Sequence, residues 1–165
     1  EPDPRFCARP AFVTGARRLG ERGLVCELCV RGEQVLGVVE QARACPETTI
    51  VLDHLGKPNM VEPEPAWRQG IRELGSCPNV FCKVSVVVHG ADDPRLDRRL
   101  AEPVVHEVIE SFGWDRVLFG SNWPVATAVI DYQEWVAVLQ QVLSGSGAGQ
   151  LERLFSVNAS RAYGI

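Results

Sequence analysis

Asp53 and His54 stand side by side where an apolar run, Thr49 to Leu52, gives way to a turn marked by Gly56 and Pro58. A strand that ends in a carboxylate and an imidazole puts two proton-active groups at its C-terminal end, where α/β proteins bind ligands. His54 reads as a metal ligand or a general base with Asp53 as its neighbour, or more plainly as a strand-end histidine hydrogen-bonded to a loop. On a regular strand the two side chains point to opposite sides. Lys83 lies in Phe81-Cys82-Lys83-Val84-Ser85, between apolar neighbours. Such a lysine either pairs with a carboxylate or faces an anionic ligand, and the second reading is carried forward, with Ser85 on the same face. Asn122 closes another apolar run, Arg116 to Ser121. Its amide could hold substrate, ligate a metal through Oδ1, or cap the turn before Pro124. Trp123 beside it walls a pocket or packs in the core. His89 falls in a polar loop, and His106 on the surface of a helix.

The elements that must position these residues alternate. Pro10 begins a helix carrying Phe12, Val13, Ala16 and Leu19, which Gly20 to Gly23 ends. Leu24 to Val30 reads as a buried strand, and Glu33 to Cys45 as a helix with Val35, Val38, Val39 and Ala42 on its apolar stripe. The strand Thr49 to His54 follows. Pro63 and Pro65 open a helix lined by Trp67, Ile71 and Leu74, which Pro78 stops. Asn79 to Val88 is the next strand, His89 to Arg95 a polar loop, and Leu100 to Phe112 an amphipathic helix closed by Gly113. The strand Arg116 to Ser121 comes fourth. Asp131 and Glu134 then form a capping box for a helix bearing Trp135, Val138, Leu139 and Val142. Ser144 to Gly149 reads as a linker before a last helix holding Leu151, Leu154, Phe155 and Tyr163. Four strand-helix alternations fit a parallel sheet, either open and doubly wound or part of a (β/α)₈ barrel. A complete barrel takes roughly 250 residues, so four units are about half of one.

With 165 residues, 45% of them hydrophobic and 23% charged, the chain has the composition of one globular domain. A net charge of -4 and the lack of any Lys/Arg run argue against nucleic-acid and anionic-membrane surfaces. No apolar run approaches the roughly 20 residues of a membrane span. The sole methionine is Met60 and the chain opens Glu1-Pro2-Asp3-Pro4, so it is expected to be a fragment. The six cysteines read as reduced thiols of a cytoplasmic protein, since Cys26 and Cys29 fall on opposite faces of a strand and lack a matching pair. Gly145 to Gly149 follows a helix, so it lacks the strand-to-helix context of a nucleotide-binding glycine loop. Asn158-Ala159-Ser160 matches a glycosylation acceptor by accident of composition.

Taken in order, Val51-Leu52-Asp53-His54-Leu55-Gly56-Lys57-Pro58, Trp67, Pro78 to Ser85, Arg116 to Val125 and Asn158 to Tyr163 resemble the amidohydrolase-related family, which includes L-fucono- and L-rhamnono-lactonases and 2-pyrone-4,6-dicarboxylate lactonases. The resemblance covers nearly the whole chain. It implies the C-terminal part, about four βα units, of a TIM (β/α)₈ barrel, with residues 1–165 as one domain and the first part of the barrel outside it. It implies a hydrolase that opens a sugar lactone or similar cyclic ester with water. His54 and Asn122 would be the catalytic residues, and also the ligands of a divalent metal such as zinc. Lys83, Ser85 and Trp123 would contact the small-molecule substrate. A homo-oligomer, or pairing with the missing half of the barrel, would complete the assembly. Two departures stand out. The family's His-x-His is absent from this chain, and Asn122 occupies the place of the aspartate in Gly-Ser-Asp-Trp-Pro. The alternatives are a catalytically degenerate binding module and a half-barrel without activity of its own.

Overall fold

Parallel strands need a crossover between them, and each apolar run in this sequence is separated from the next by a helix-length segment. The computed structural model, which describes residues 2–90 and 93–165, realises that pattern. Its sheet comprises β1 (Cys26–Leu28), β2 (Ile50–Leu52), β3 (Val80–Val84) and β4 (Val117–Phe119), all parallel and in sequence order. This is the succession of strands in part of a (β/α)₈ barrel, and β1 and β4 are its open edges. The polar loop expected at residues 89–95 is described except for positions 91 and 92, which lie outside the described residues.

The helices are α1 (Pro10–Gly20), α2 (Val35–Ala44), α3 (Pro65–Gly75), α4 (Arg98–Phe112) and α5 (Tyr132–Val142). Pro10 and Pro65 sit in the first turn, where a missing N–H costs nothing. Asp97 caps α4, and the expected Asp131 and Glu134 box caps α5. A last helix is made of α6 (Ala148–Glu152), a π-helical turn (Arg153–Val157) and α7 (Asn158–Tyr163). It begins inside the stretch expected to be a linker, since Ala148 and Gly149 are already helical.

Alternation along the strands divides the sheet into two unlike faces. Ile50, Leu52, Val80, Cys82, Val84 and Val117 point into the main core, against Val35, Val38, Ile71, Leu74, Val105 and Val108 of the helical layer. Val51, Phe81 and Leu118 point the other way and meet Ala162 and Tyr163 of α7. The last helix therefore lies on the sheet face that α2 to α4 leave uncovered. Side-chain amides and a guanidinium lock the N-terminal ends of the strands. Asn79 Nδ2 donates among Ala42 O, Cys45 O and Thr48 O, Asn158 Nδ2 donates to Trp114 O and Val117 O at 2.7 Å, and Arg116 reaches Gly75 O, Cys77 O and Val80 O. Among the described residues no helix is long and apolar enough to cross a membrane. All six cysteines are free, and Cys29 alone is exposed.

The strands are shorter than their apolar runs suggest. β2 stops at Leu52 because the backbone turns left-handed at His54 (φ 52°), Leu55 (φ 57°), Gly56 (φ 72°) and Lys57 (φ 45°). Such a run of L-residues costs roughly 1–2 kcal/mol each. It is held from outside: Trp67 Nε1 donates to Leu55 O at 2.7 Å, and Leu55 is fully buried.

Candidate active site

The left-handed turn decides where His54 points. Asp53 and His54 were expected on opposite sides of a strand, but the turn swings both side chains to the same side. Asp53 Oδ1 lies 2.7 Å from Lys83 Nζ, and His54 Nδ1 lies 2.7 Å from Ser85 Oγ. Lys83 and Ser85 are two apart on β3 and its extension, so they share one face. That face is the one bearing Val51, Phe81 and Leu118, and Glu27, in register with Val51, lies on it from β1.

Gly120 makes room for this row. A Cβ there would stand 2.9 Å from Lys83 Cγ and Cδ and 3.0 Å from Ser85 Cβ, closer than side chains pack.

Lys83 takes the carboxylate alternative of its sequence reading. It pairs with Asp53 and, at 2.8 Å, with Glu27 Oε1, while Tyr163 donates its hydroxyl to the same Glu27 oxygen. The approach to Asp53 is a close charge contact off the line of a hydrogen bond. Tyr163's ring lies 5.9 Å from Nζ, within cation–π range. Burial works against the ammonium, but its two carboxylate partners outweigh it and hold Lys83 above the usual lysine range. Burial raises Glu27 as well, yet the hydrogen bonds from Lys83 and Tyr163 and the lysine's charge bring its carboxyl below the ordinary value. Burial lowers His54; Asp53 opposes that, and the charges of Lys83 and Lys57 add to it, so the imidazole is neutral at neutral pH.

Asn122 enters from β4. It too is left-handed (φ 58°), a conformation asparagine tolerates, and its Nδ2 donates to Val86 O at 2.9 Å. That anchors it one residue beyond Ser85 and leaves Oδ1 as its free acceptor. Trp123, joined to Pro124 by a cis peptide bond, is 69% exposed, so the core alternative for it does not hold. Trp67 and Trp135 fill the core instead.

His89 Nε2 contacts Pro58 O at 2.9 Å and ties the loops after β2 and β3 together. Between those loops opens a cavity of about 160 Å³ walled by Met60, Val61, Val87, Leu96 and Leu100. His106 is exposed on α4, as expected.

Sequence reasoning missed Glu27 and Tyr163. Glu27 carried a signal, being a lone charge inside Leu24 to Val30. Tyr163 carried none, because its partner lies 136 positions away.

A divalent cation finds an incomplete set of donors here. His54 offers one ring nitrogen and Asn122 one amide oxygen, while Asp53 is held by Lys83. Among the described residues no three His, Cys, Asp or Glu side chains are grouped to hold a metal. These residues do not by themselves fit the ion, and no step below is routed through one.

Comparison with known proteins agrees with the motifs. A family model described as Amidohydrolase matches residues 1–165. An L-fucono-1,5-lactonase of Burkholderia ambifaria is 36% identical over 129 residues, covering 75% of this chain and 44% of that protein. The uncharacterized protein y4mH of Sinorhizobium fredii is 29% identical over 167 residues, covering 99% of this chain and 54% of its own length. The crystal structure of an amidohydrolase from Burkholderia multivorans with bound zinc superposes with a TM-score of 0.87 at 26% identity, over 100% of this chain and 61% of that one. The chain thus spans about half the length of the curated relatives it matches.

Proposed function

The chain belongs to the amidohydrolase family, and on that premise we propose that it is the C-terminal part of a lactonase, a hydrolase that opens a sugar lactone or similar cyclic ester by attack of water. The observation that carries this reading is that His54, held by buried Ser85, and Asn122, held by the carbonyl of the next residue Val86, are both anchored on the segment just past β3. Similarity to an L-fucono-1,5-lactonase gives the substrate class its support.

In this mechanism His54 and Asn122 are the catalytic residues. Attack on a lactone carbonyl builds charge on its oxygen, and a neutral imidazole held in place at the strand end is suited to meet that charge or to orient the water. Asn122 Oδ1 can accept a hydrogen bond from the water but takes no proton, so the proton the water loses ends on the ring oxygen that is freed as an alcohol when its bond to the carbonyl carbon breaks. Lys83 is already neutralised by two carboxylates, so its part is to fix Asp53 beside His54, with little charge left to attract an anionic substrate. The largely apolar cavity beside His89, rimmed by Asn59 and Asp93, suits the body of a small hydroxylated substrate.

The test is hydrolysis of aldonolactones by the full-length protein and its His54→Ala variant. A fall of about 10²-fold or more is expected; unchanged turnover sinks the assignment. Asn122 favours one rival, a binding module that has lost turnover along with the family's aspartate. Under that rival Asn122→Asp raises activity, whereas a loss identifies asparagine as the working residue.

A further inference from the structure

Ser85 is fully buried, and its hydroxyl has one polar partner among the described residues, His54 Nδ1 at 2.7 Å. A hydroxyl carries a single proton. If Oγ accepted from an Nδ1–H, its own proton would be left in the interior without an acceptor, at the full cost of desolvating that donor. If Oγ donates to Nδ1, both groups are satisfied. The second arrangement leaves Nδ1 unprotonated and puts the ring's proton on Nε2.

The geometry points to Ser85 as a positioning residue: its hydroxyl donates to His54 Nδ1 and so fixes the tautomer in which Nε2–H is presented to the site. This deepens the lactonase reading and rests on it for the reaction, though not for the tautomer. His54 then meets an oxygen of substrate or of the tetrahedral intermediate as a donor. Gly120 belongs to the same device, because a side chain there would push on Ser85 Cβ and on the Lys83 stem at once. The expectation that Ser85 touches substrate gives way to action through the histidine.

The experiment is nitrogen-15 NMR of the full-length protein labelled in its histidine rings, recorded near pH 8. His89 is the internal control. Its Nε2 faces Pro58 O, which can only accept, so His89 must carry its proton on Nε2. His54, identified by its loss in His54→Gln, is expected to show the same tautomer with a hydrogen-bonded Nδ1. In Ser85→Ala that Nδ1 signal should move or split into a tautomer mixture, and kcat should fall about 10-fold or more with KM within about twofold. A His54 protonated on Nδ1 in the wild type, or ring signals unchanged in Ser85→Ala, overturns the proposal. If Ser85→Ala does not fold, the wild-type tautomer and the Ser85→Cys variant still decide. A wild type that hydrolyses no lactone defeats the functional reading and leaves the tautomer result standing.

Discussion

Replacing Lys83 with methionine tests whether the cation on the uncovered sheet face is there to neutralise Asp53. Methionine keeps the stem's apolar bulk, so the change removes charge with little loss of packing. Asp53 and Lys83 side chains are 13% and 18% exposed, and their charged atoms are 2.7 Å apart. At an effective dielectric near 20 that contact is worth about 6 kcal/mol before desolvation is subtracted. Removing one partner of such a pair typically costs about 3–5 kcal/mol, because the other is left charged and buried. Glu27, 44% exposed, can turn to solvent and adds less than about 1 kcal/mol. The expected loss for Lys83→Met is therefore about 3 kcal/mol in urea unfolding at pH 7. Asp53→Asn in the Lys83→Met background should recover most of it, giving a coupling of at least about 2 kcal/mol in the double-mutant cycle. A coupling under about 0.5 kcal/mol refutes the reasoning and would mean that Lys83 is free for a ligand.

Gly120→Ala should destabilise by about 1–3 kcal/mol in thermal melts, since the new Cβ meets the Lys83 stem and Ser85 Cβ at 2.9–3.0 Å. His54 binds its proton less readily in the folded chain than its ordinary value of 6.5, so the unfolded state takes up more protons below that pH. Stability should accordingly be full above about pH 6.5 and fall as pH drops through the folded value, and His54→Gln should flatten the profile below about pH 6.5. Glu27, held below its ordinary range, adds stability above the unfolded carboxylate value that fades at lower pH, so Glu27→Gln should flatten the acid limb near pH 4. Native protein should release one prompt thiol to a disulfide reagent, from exposed Cys29. Cys7, raised to about 11 by burial, and the other four cysteines should react only on unfolding.

Much of the fold was legible because helical and strand periods alternate cleanly along the chain. Pro10, Pro65, Gly113 and the Asp131 and Glu134 pair mark real boundaries. The strands were read too long, since an apolar run does not reveal where pairing stops. At His54 only Gly56 and Pro58 hinted at a turn, and three residues without a glycine's freedom share Gly56's left-handed backbone. That is why Asp53 and His54 were assigned to opposite sides. Lys83 was recognised as needing a partner, but Glu27 lies on β1 and Asp53 in the turn after β2, and only the sheet's register brings them within reach. The family motif pointed to His54 and Asn122. It was silent on what their side chains touch.

The hydroxyl of Tyr163 on Glu27 has a consequence for the order of assembly. The two residues are 136 positions apart, so joining them closes nearly the whole described chain into one ring. Closure of so long a loop carries the largest entropic cost, so it is expected after the local βα units have formed. Until α7 settles, Val51, Phe81 and Leu118 face outward and Glu27 has Lys83 alone. The final helix thus closes over that face, and Glu27 and Lys83 gain their contacts with Tyr163 only once it is in place.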